Sequence, residues 1–176
     1  MSVFTDGKTN GPGICWPDGK RIAVMVTFDF DAEFLRISRA ESKGTSIGFT
    51  DFSRGQYGPH TGLLRCLNML DAHQVKSTFF VPGAVAEKYT EQVRMIHERG
   101  HELAWHGYRH ESVRGISREE EEAILDKSEA ALMAVTGKRP AGHRGPESII
   151  HPFTHELLAE LGYLYSSSMK DCDYAY

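Results

Sequence analysis

A short apolar run that ends in two carboxylates constrains this chain more than any other feature. Residues 22–26 (IAVMV) are apolar and rich in β-branched side chains, and a Pro-Asp-Gly turn signal at 17–19 precedes them. This pattern predicts a buried strand over residues 21–31. Because residues two apart on a strand share a face, Asp29 and Asp31 are expected to point the same way at its carboxyl end. Two such carboxylates need a compensating cation, proton or hydrogen bonds, unless they only form the turn that ends the strand.

The rest of the chain alternates between runs typical of strands and segments with helical periodicity. Ser117 and Glu120 match a capping box, which marks the start of one of the helices. We predict further strands over residues 75–81, 101–105, 141–144 and 163–167, and helices over residues 61–72, 84–99, 117–135 and 153–161. This alternation predicts an α/β fold built on a parallel sheet or barrel.

A long segment rich in Gly, Ser and Arg, residues 32–59, follows the first predicted strand. We expect an irregular loop there, acting either as a lid or binding loop or as a surface excursion without a role. Tyr57, near its end, is a candidate for lining a substrate groove, and the alternative is that it packs within the loop.

Length and composition indicate one domain of ordinary globular character. The chain has 176 residues, of which 40% are hydrophobic and 25% charged. We expect an irregular arm over residues 1–20 and a single domain over residues 21–176. The formal net charge is −4 and Lys and Arg do not cluster, which argues against a nucleic-acid partner.

The sequence gives no indication of a membrane partner or of secretion. No apolar run approaches the roughly 20 residues that span a bilayer, and the polar residues 1–16 lack the apolar centre of a signal peptide. Three widely spaced cysteines, Cys15, Cys66 and Cys172, favour free thiols in a reducing compartment over a disulfide framework. We therefore expect a cytoplasmic protein.

Polar side chains follow three of the predicted strands, where a parallel fold gathers its chemistry. His106 and His110 are four residues apart, and on a helical turn they would share one face. Two imidazoles and one carboxylate form a common ligand set for catalytic zinc, so one of the two aspartates would bind metal and the other would be free as a general base. Arg144 could hold that base ionised. The alternatives are histidines that cap and pack, and an arginine that braces a loop.

Several segments, in order, resemble the polysaccharide deacetylase family, the family 4 carbohydrate esterases. The resemblance covers about residues 20–168 and is carried by TFDFDAE at 27–33, VKSTFFVPG at 75–83, GHEL at 100–103, HGYRH at 106–110 and RGP at 144–146. It implies a distorted (β/α) barrel with fewer than eight strand–helix units.

The resemblance also implies a reaction and a set of roles. A divalent metal, usually zinc, would be held by Asp31, His106 and His110. Asp29 would be the general base, with Arg144 steadying it. The reaction would be hydrolysis of an N- or O-acetyl group on a sugar. In the third motif, Pro146 would contact substrate and a backbone N–H near Glu147 would help to bind the oxyanion.

The sequence departs from the family pattern in its first two motifs and after the third. Phe30 separates the two aspartates, and Gly107 stands where Ser or Thr is usual. Both variants resemble a subgroup that contains peptidoglycan deacetylases and relatives that open cyclic imide or allantoin rings. Thirty residues follow Pro146, without the later strands or the Leu-x-x-His motif that supplies the family's general acid.

We therefore expect a barrel that is incomplete at its carboxyl end. An open sheet edge exposes unpaired backbone groups, so we also expect the chain to form a homo-oligomer. The leading hypothesis is a metal-dependent deacetylase acting on N-acetylated sugars. The alternatives are an amidohydrolase acting on a cyclic imide or ureide, and a truncated metal-binding domain without turnover.

Overall fold

The computed structural model describes residues 17–20 and 22–170. Residues 1–16, and with them most of the arm expected over 1–20, lie outside the described residues, as does Cys172. Residues 26–168 form one compact unit, which carries the sheet, its helices and the candidate site. No helix in the described ranges has the length and apolar character needed to cross a membrane.

The unit is built on a five-stranded sheet in which every neighbouring pair of strands is parallel. The strands are β1 (Thr27–Asp29), β2 (Thr78–Val81), β3 (Glu102–Trp105), β4 (Gly142–His143) and β5 (Tyr165–Ser166). Their spatial order is the same as their order in the chain. This order is that of a barrel wall, since a doubly wound sheet reverses direction at a switch point.

Helices fill the connections between the strands. They are α1 (Phe34–Glu41), α2 (Phe49–Tyr57), α3 (Leu63–Ala72), α4 (Gly83–Lys88), α5 (Thr90–Glu98), α6 (Arg118–Thr136) and α7 (Thr154–Glu160). A π-helical turn, Gly58–Gly62, joins α2 to α3. The α/β prediction is confirmed, and so is the capping box: Ser117 Oγ accepts a hydrogen bond from Glu120 N, and the Glu120 carboxylate accepts one from Ser117 N.

The core lies between the sheet and the helices and has two parts. The larger cluster includes Phe79, Val81, Leu67 and Ile96, and joins β2 to α3 and α5. The smaller centres on Trp105, which is fully buried against α6 and α7. Both clusters anchor the middle strands, so the carboxyl ends of those strands are held rigidly.

The prediction of a buried strand over residues 21–31 is wrong for most of its length. Within the described part of that range, residues 22–31, only Thr27–Asp29 is strand, and Ile22, Val24 and Met25 are 72%, 79% and 84% exposed. The physical reason is that strand conformation depends on a partner: β1 pairs with β2 and, among the described residues, with no strand on its other side. Apolar composition alone does not supply that partner.

The irregular loop expected over residues 32–59 is also wrong, because α1 and α2 lie within it. One of the glycines that favoured a loop, Gly55, has another role. A Cβ on Gly55 would lie 2.4 Å from the Cα of Glu33, so glycine is what lets α2 pack directly against the chain leaving β1. The single helix predicted over residues 84–99 is divided at Tyr89, whose backbone leaves the helical region.

Candidate metal centre

The carboxyl ends of β1 and β4 are joined by an ion pair. Arg144 Nη1 lies 2.6 Å from Asp29 Oδ1, as expected from the sequence. The other guanidinium nitrogen, Nη2, donates to Thr27 Oγ1 at 3.1 Å and to Ser167 Oγ at 2.8 Å. The guanidinium carbon also lies 3.8 Å from the centre of the Phe80 ring. Arg144 is therefore fixed by side chains of β1 and β2 and by Ser167 just after β5, and it fixes Asp29 in turn.

Asp31, His106 and His110 meet beside this pair. Asp31 Oδ1 lies 3.5 Å from His106 Nε2, and Asp31 Oδ2 lies 3.7 Å from His110 Nε2. One ligand atom from each of the three residues falls within 4.8 Å of the other two. Both imidazoles are almost completely buried. Thus the sequence-predicted ligand residues are brought together on one edge of the sheet.

The two histidines do not lie on a helical turn, which corrects the sequence-based expectation. Residues 106–110 form a loop after β3, and His110 has a φ of +60°. The loop nonetheless places the two rings edge to face with their centroids 5.0 Å apart. The i, i+4 spacing thus brings the imidazoles together through a bent loop rather than through helical periodicity.

The hydrogen bonding of His106 defines which of its nitrogens faces Asp31. Its Nδ1 lies 2.7 Å from the carbonyl oxygen of Arg144, an acceptor, so Nδ1 carries the proton. Nε2 then presents a lone pair to the Asp31 carboxylate. Asp31 Oδ1 and His106 Nε2 are both buried without a hydrogen-bond partner among the described residues. Two facing acceptors need a proton or a cation between them.

The spacing of the donor atoms fits a divalent metal. Two ligand atoms about 2.1 Å from a tetrahedral zinc ion lie roughly 3.4 Å apart. The Asp31 carboxylate lies at a similar distance from each imidazole, 3.5 Å through Oδ1 and 3.7 Å through Oδ2. The Arg144 carbonyl accepts the hydrogen bond of His106 Nδ1 and so orients the ring, as backbone carbonyls commonly do for histidines that bind a metal through their other nitrogen. The residues present therefore suit zinc or a similar ion.

Burial and neighbouring charges favour uncharged groups in the cluster. Burial, followed by the negative charge of Asp29, raises the pKa of Asp31 to about 7. Burial, followed by repulsion from His106, lowers the pKa of His110 to about 4. Burial also lowers the pKa of His106. Near neutral pH both imidazoles are therefore unprotonated, which is the form that binds metal. A cation beside Asp31 would favour the ionised form of its carboxyl group, which burial disfavours.

Glu33 holds the Asp31 segment in place, a role that the sequence reading missed. Its side chain is fully buried and accepts hydrogen bonds from Tyr89 Oη at 2.8 Å and from Lys88 Nζ. This joins the chain just after Asp31 to the junction of α4 and α5. A glutamate two residues after a predicted buried strand was a signal, but the sequence alone identified no partner for it.

Of the three residues expected to contact substrate, two lie beside the cluster. Pro146 and Glu147 line a small pocket of about 30 Å³ together with His110 and Arg39. Arg39 Nε donates to Glu147 Oε1 at 2.8 Å. Tyr57 is 54% exposed at the end of α2, where its hydroxyl accepts from Arg65 at 2.9 Å, and it is not among the residues lining this pocket.

Comparison with known proteins connects this geometry to a family. The model of the polysaccharide deacetylase family matches residues 52–166. A peptidoglycan deacetylase of Helicobacter pylori is 35% identical over 155 residues, covering 88% of this chain and 52% of the relative. A peptidoglycan deacetylase-like protein of Gibberella zeae is 32% identical, covering 88% of this chain and 46% of the relative. The chain thus spans about half the length of these curated relatives.

Solved structures show the same fold. A candidate polysaccharide deacetylase from Mycobacterium smegmatis superposes with a TM-score of 0.84 at 41% identity, covering 92% of this chain and 56% of that one. An allantoinase superposes with a TM-score of 0.80 at 22% identity, covering 100% of this chain and 64% of that one. At that identity the second likeness concerns the fold alone.

Proposed function

Because the chain belongs to the polysaccharide deacetylase family, we propose that it removes acetyl groups from N-acetylated sugars such as those of peptidoglycan or a chitin-like oligosaccharide. The observation that carries this proposal is the meeting of the Asp29–Arg144 pair with the cluster of Asp31, His106 and His110. The names of the relatives from Helicobacter pylori and Gibberella zeae support the substrate class. The cytoplasmic location stays a prediction.

Asp29 is suited to take a proton from the attacking water. Its side chain is 41% exposed, so it is open to solvent, whereas Arg144 is only 16% exposed and held by several partners. The ion pair with Arg144 fixes the orientation of the Asp29 carboxylate. A general base must lie within hydrogen-bond reach of the proton that it removes, and Asp29 Oδ2 faces the cluster, 3.9 Å from His106 Nε2.

Asp31, His106 and His110 would hold the metal. A divalent ion at these ligands supplies a Lewis acid that polarises a carbonyl and lowers the pKa of water to roughly 7. The protein contributes the deprotonated imidazoles, the tautomer of His106 fixed by the Arg144 carbonyl, and a carboxylate directed at both rings. The protonation state and orientation of the three ligands thus suit metal binding in the metal-free chain.

The turn at Pro146–Ser148 is the candidate for binding the oxyanion. Glu147 has a φ of +56° and lines the pocket beside His110. Its backbone N–H makes no hydrogen bond with another described residue. A free N–H group at the edge of a reaction site can stabilise negative charge that develops on a carbonyl oxygen. We propose this role for the Glu147 N–H.

The test is acetate release from N-acetylglucosamine oligomers by the full chain with zinc, without zinc and after chelation. We expect acetate only with zinc. A parallel assay with a cyclic ureide separates the amidohydrolase alternative, because ring opening that survives complete metal removal would contradict the proposal. Bound zinc without hydrolysis of any acetylated sugar would also contradict it and would favour a non-catalytic metal-binding domain.

We also propose that the chain self-associates. Among the described residues β1 and β5 each pair on one side only, and Leu164 beside β5 is 81% exposed. Unpaired strand edges with apolar neighbours are templates for further pairing. Light scattering at micromolar concentration should show an oligomer, and Leu164→Lys should weaken it, with Lys43→Glu as an exposed control. A monodisperse monomer would contradict this prediction.

A further inference from the structure

The loop between the two histidines is held by a carboxylate that the roles above do not use. Glu111 Oε2 accepts hydrogen bonds from the backbone N–H groups of Tyr108 at 3.0 Å and Arg109 at 2.6 Å. We propose that Glu111 is a positioning residue for the metal centre, setting where His110 lies relative to His106. This inference rests on the proposed function only in assuming that Asp31, His106 and His110 bind a metal.

The carbonyl groups of the same loop are bound from the opposite side. Gly107 O accepts from Gly83 N at 3.0 Å and from the buried Ser128 Oγ at 2.7 Å. Tyr108 O accepts from Ala84 N at 2.8 Å. The start of α4 and the middle of α6 thus bind the carbonyl oxygens, while Glu111 binds the N–H groups. With both sets of backbone groups held, the loop has little freedom to turn.

Gly107 is the residue that makes this arrangement possible. Its φ is +77°, and a Cβ there would lie 2.9 Å from Pro146 Cγ and 3.1 Å from Glu111 Oε2. A side chain at this position would therefore meet both the third motif and the carboxylate that binds the loop. Glu111 can therefore bind the loop in this way only because residue 107 is a glycine.

The strain at His110 explains why such support is needed. A φ of +60° is uncommon for a residue with a side chain and persists where surrounding contacts hold it. Without the bonds from Glu111, His110 can relax and its Nε2 moves away from Asp31 Oδ2, now 3.7 Å distant. Because ligands must be in place before an ion binds, a loosened loop lowers metal affinity.

The experiment measures metal binding rather than turnover. Zinc affinity of the full chain is measured by competition with a chromogenic chelator for the wild type, Glu111→Ala and Glu111→Gln. The matched control is Glu91→Ala, which removes a 78% exposed carboxylate paired with Arg94 on α5. The visible spectrum of bound cobalt reports ligand geometry, and the melting temperature of the metal-free chain reports folding.

We expect Glu111→Ala to weaken zinc binding by about 10- to 100-fold, the usual effect of losing a residue that orients metal ligands. Glu111→Gln keeps an acceptor oxygen and should lose less. The cobalt spectrum should change in Glu111→Ala while the metal-free melting temperature stays near that of the wild type. Glu91→Ala should match the wild type throughout.

Two results would overturn the inference and are distinguishable from failure of the proposed function. Wild-type affinity and an unchanged cobalt spectrum in Glu111→Ala would remove the positioning role and leave the deacetylase proposal intact. A Glu111→Ala variant with the wild-type cobalt spectrum but a lowered metal-free melting temperature would assign Glu111 to folding alone. A wild-type chain that binds no zinc would overturn both proposals.

Discussion

Asp29 and Asp31 are two residues apart and have different surroundings. Asp29 is 41% exposed and paired with Arg144, whereas Asp31 is 13% exposed and faces two imidazoles. Burial and the nearby Asp29 raise the pKa of Asp31 to about 7. The two aspartates were expected to share one face of a strand, but β1 ends at Asp29. Asp31 therefore lies beyond the strand, next to Ala32 with its φ of +49°, and has surroundings of its own.

This difference predicts different outcomes for the two amide substitutions. Asp29→Asn should lower turnover by about 10²-fold or more, as expected for loss of a general base, and leave zinc affinity unchanged. Asp31→Asn should weaken zinc binding itself, because it removes the charged ligand. Acetate release and chelator competition on the same preparations measure both effects. Equal loss of metal in the two variants would contradict the assignment.

At the scale of elements, the packing of α2 against the chain leaving β1 supports the site. Gly55 lies directly on Glu33, whose carboxylate binds Tyr89 and Lys88. The segment that carries Asp31 is thus held between α2 on one side and the α4–α5 junction on the other. Hydrophobic periodicity cannot reveal such a contact, because it depends on one absent Cβ.

Two glycine substitutions test this packing. Gly55→Ala places a Cβ 2.4 Å from the Glu33 backbone and should destabilise the chain by about 1–3 kcal/mol through overpacking. Gly48→Ala, at the start of α2 with nothing within 4 Å of its Cβ, should change stability by less than about 0.5 kcal/mol. Urea unfolding curves measure both. Equal stability in the two variants would show that α2 can shift without cost.

At the scale of the whole molecule, a buried histidine connects stability to pH. His143, on β4, is 1% exposed and stacks on Trp105 with ring centroids 4.6 Å apart. Burial, followed by repulsion from His106, lowers its pKa to about 3. In the unfolded chain the imidazole takes up a proton below its ordinary pKa of about 6.5. Lowering the pH through this window therefore favours the unfolded state.

We accordingly expect His143 to make the metal-free chain less stable by about 2 kcal/mol at pH 5 than at neutral pH. His143→Phe, which keeps a flat ring beside Trp105, should remove this contribution to the change of unfolding free energy with pH. His73→Gln, at an exposed position, should keep it. Asp31 acts with the opposite sign, because its raised pKa makes stability fall as pH rises toward 7. Urea unfolding across pH 4–7 compares the variants, and identical slopes would contradict the prediction.

The sequence by itself determined the features that depend on near neighbours in the chain. The capping box of Ser117 and Glu120 forms as predicted because its two hydrogen bonds need only one turn of helix. The alternation of strands and helices predicted the parallel sheet, and polar residues at strand ends predicted that two histidines would meet one of the two aspartates. Those inferences follow from how parallel strands are ordered and from the chemistry of the side chains. The family resemblance implied that the aspartate in question is Asp31.

The tertiary structure decided what depends on residues far apart in the chain. It left Ile22 exposed, since strand pairing and burial need a neighbour that apolar composition does not provide. It made Gly55 a packing residue and Glu33 a buried anchor, because their partners lie on separate elements. It also gave His110 its left-handed backbone, which local propensity disfavours and surrounding hydrogen bonds maintain.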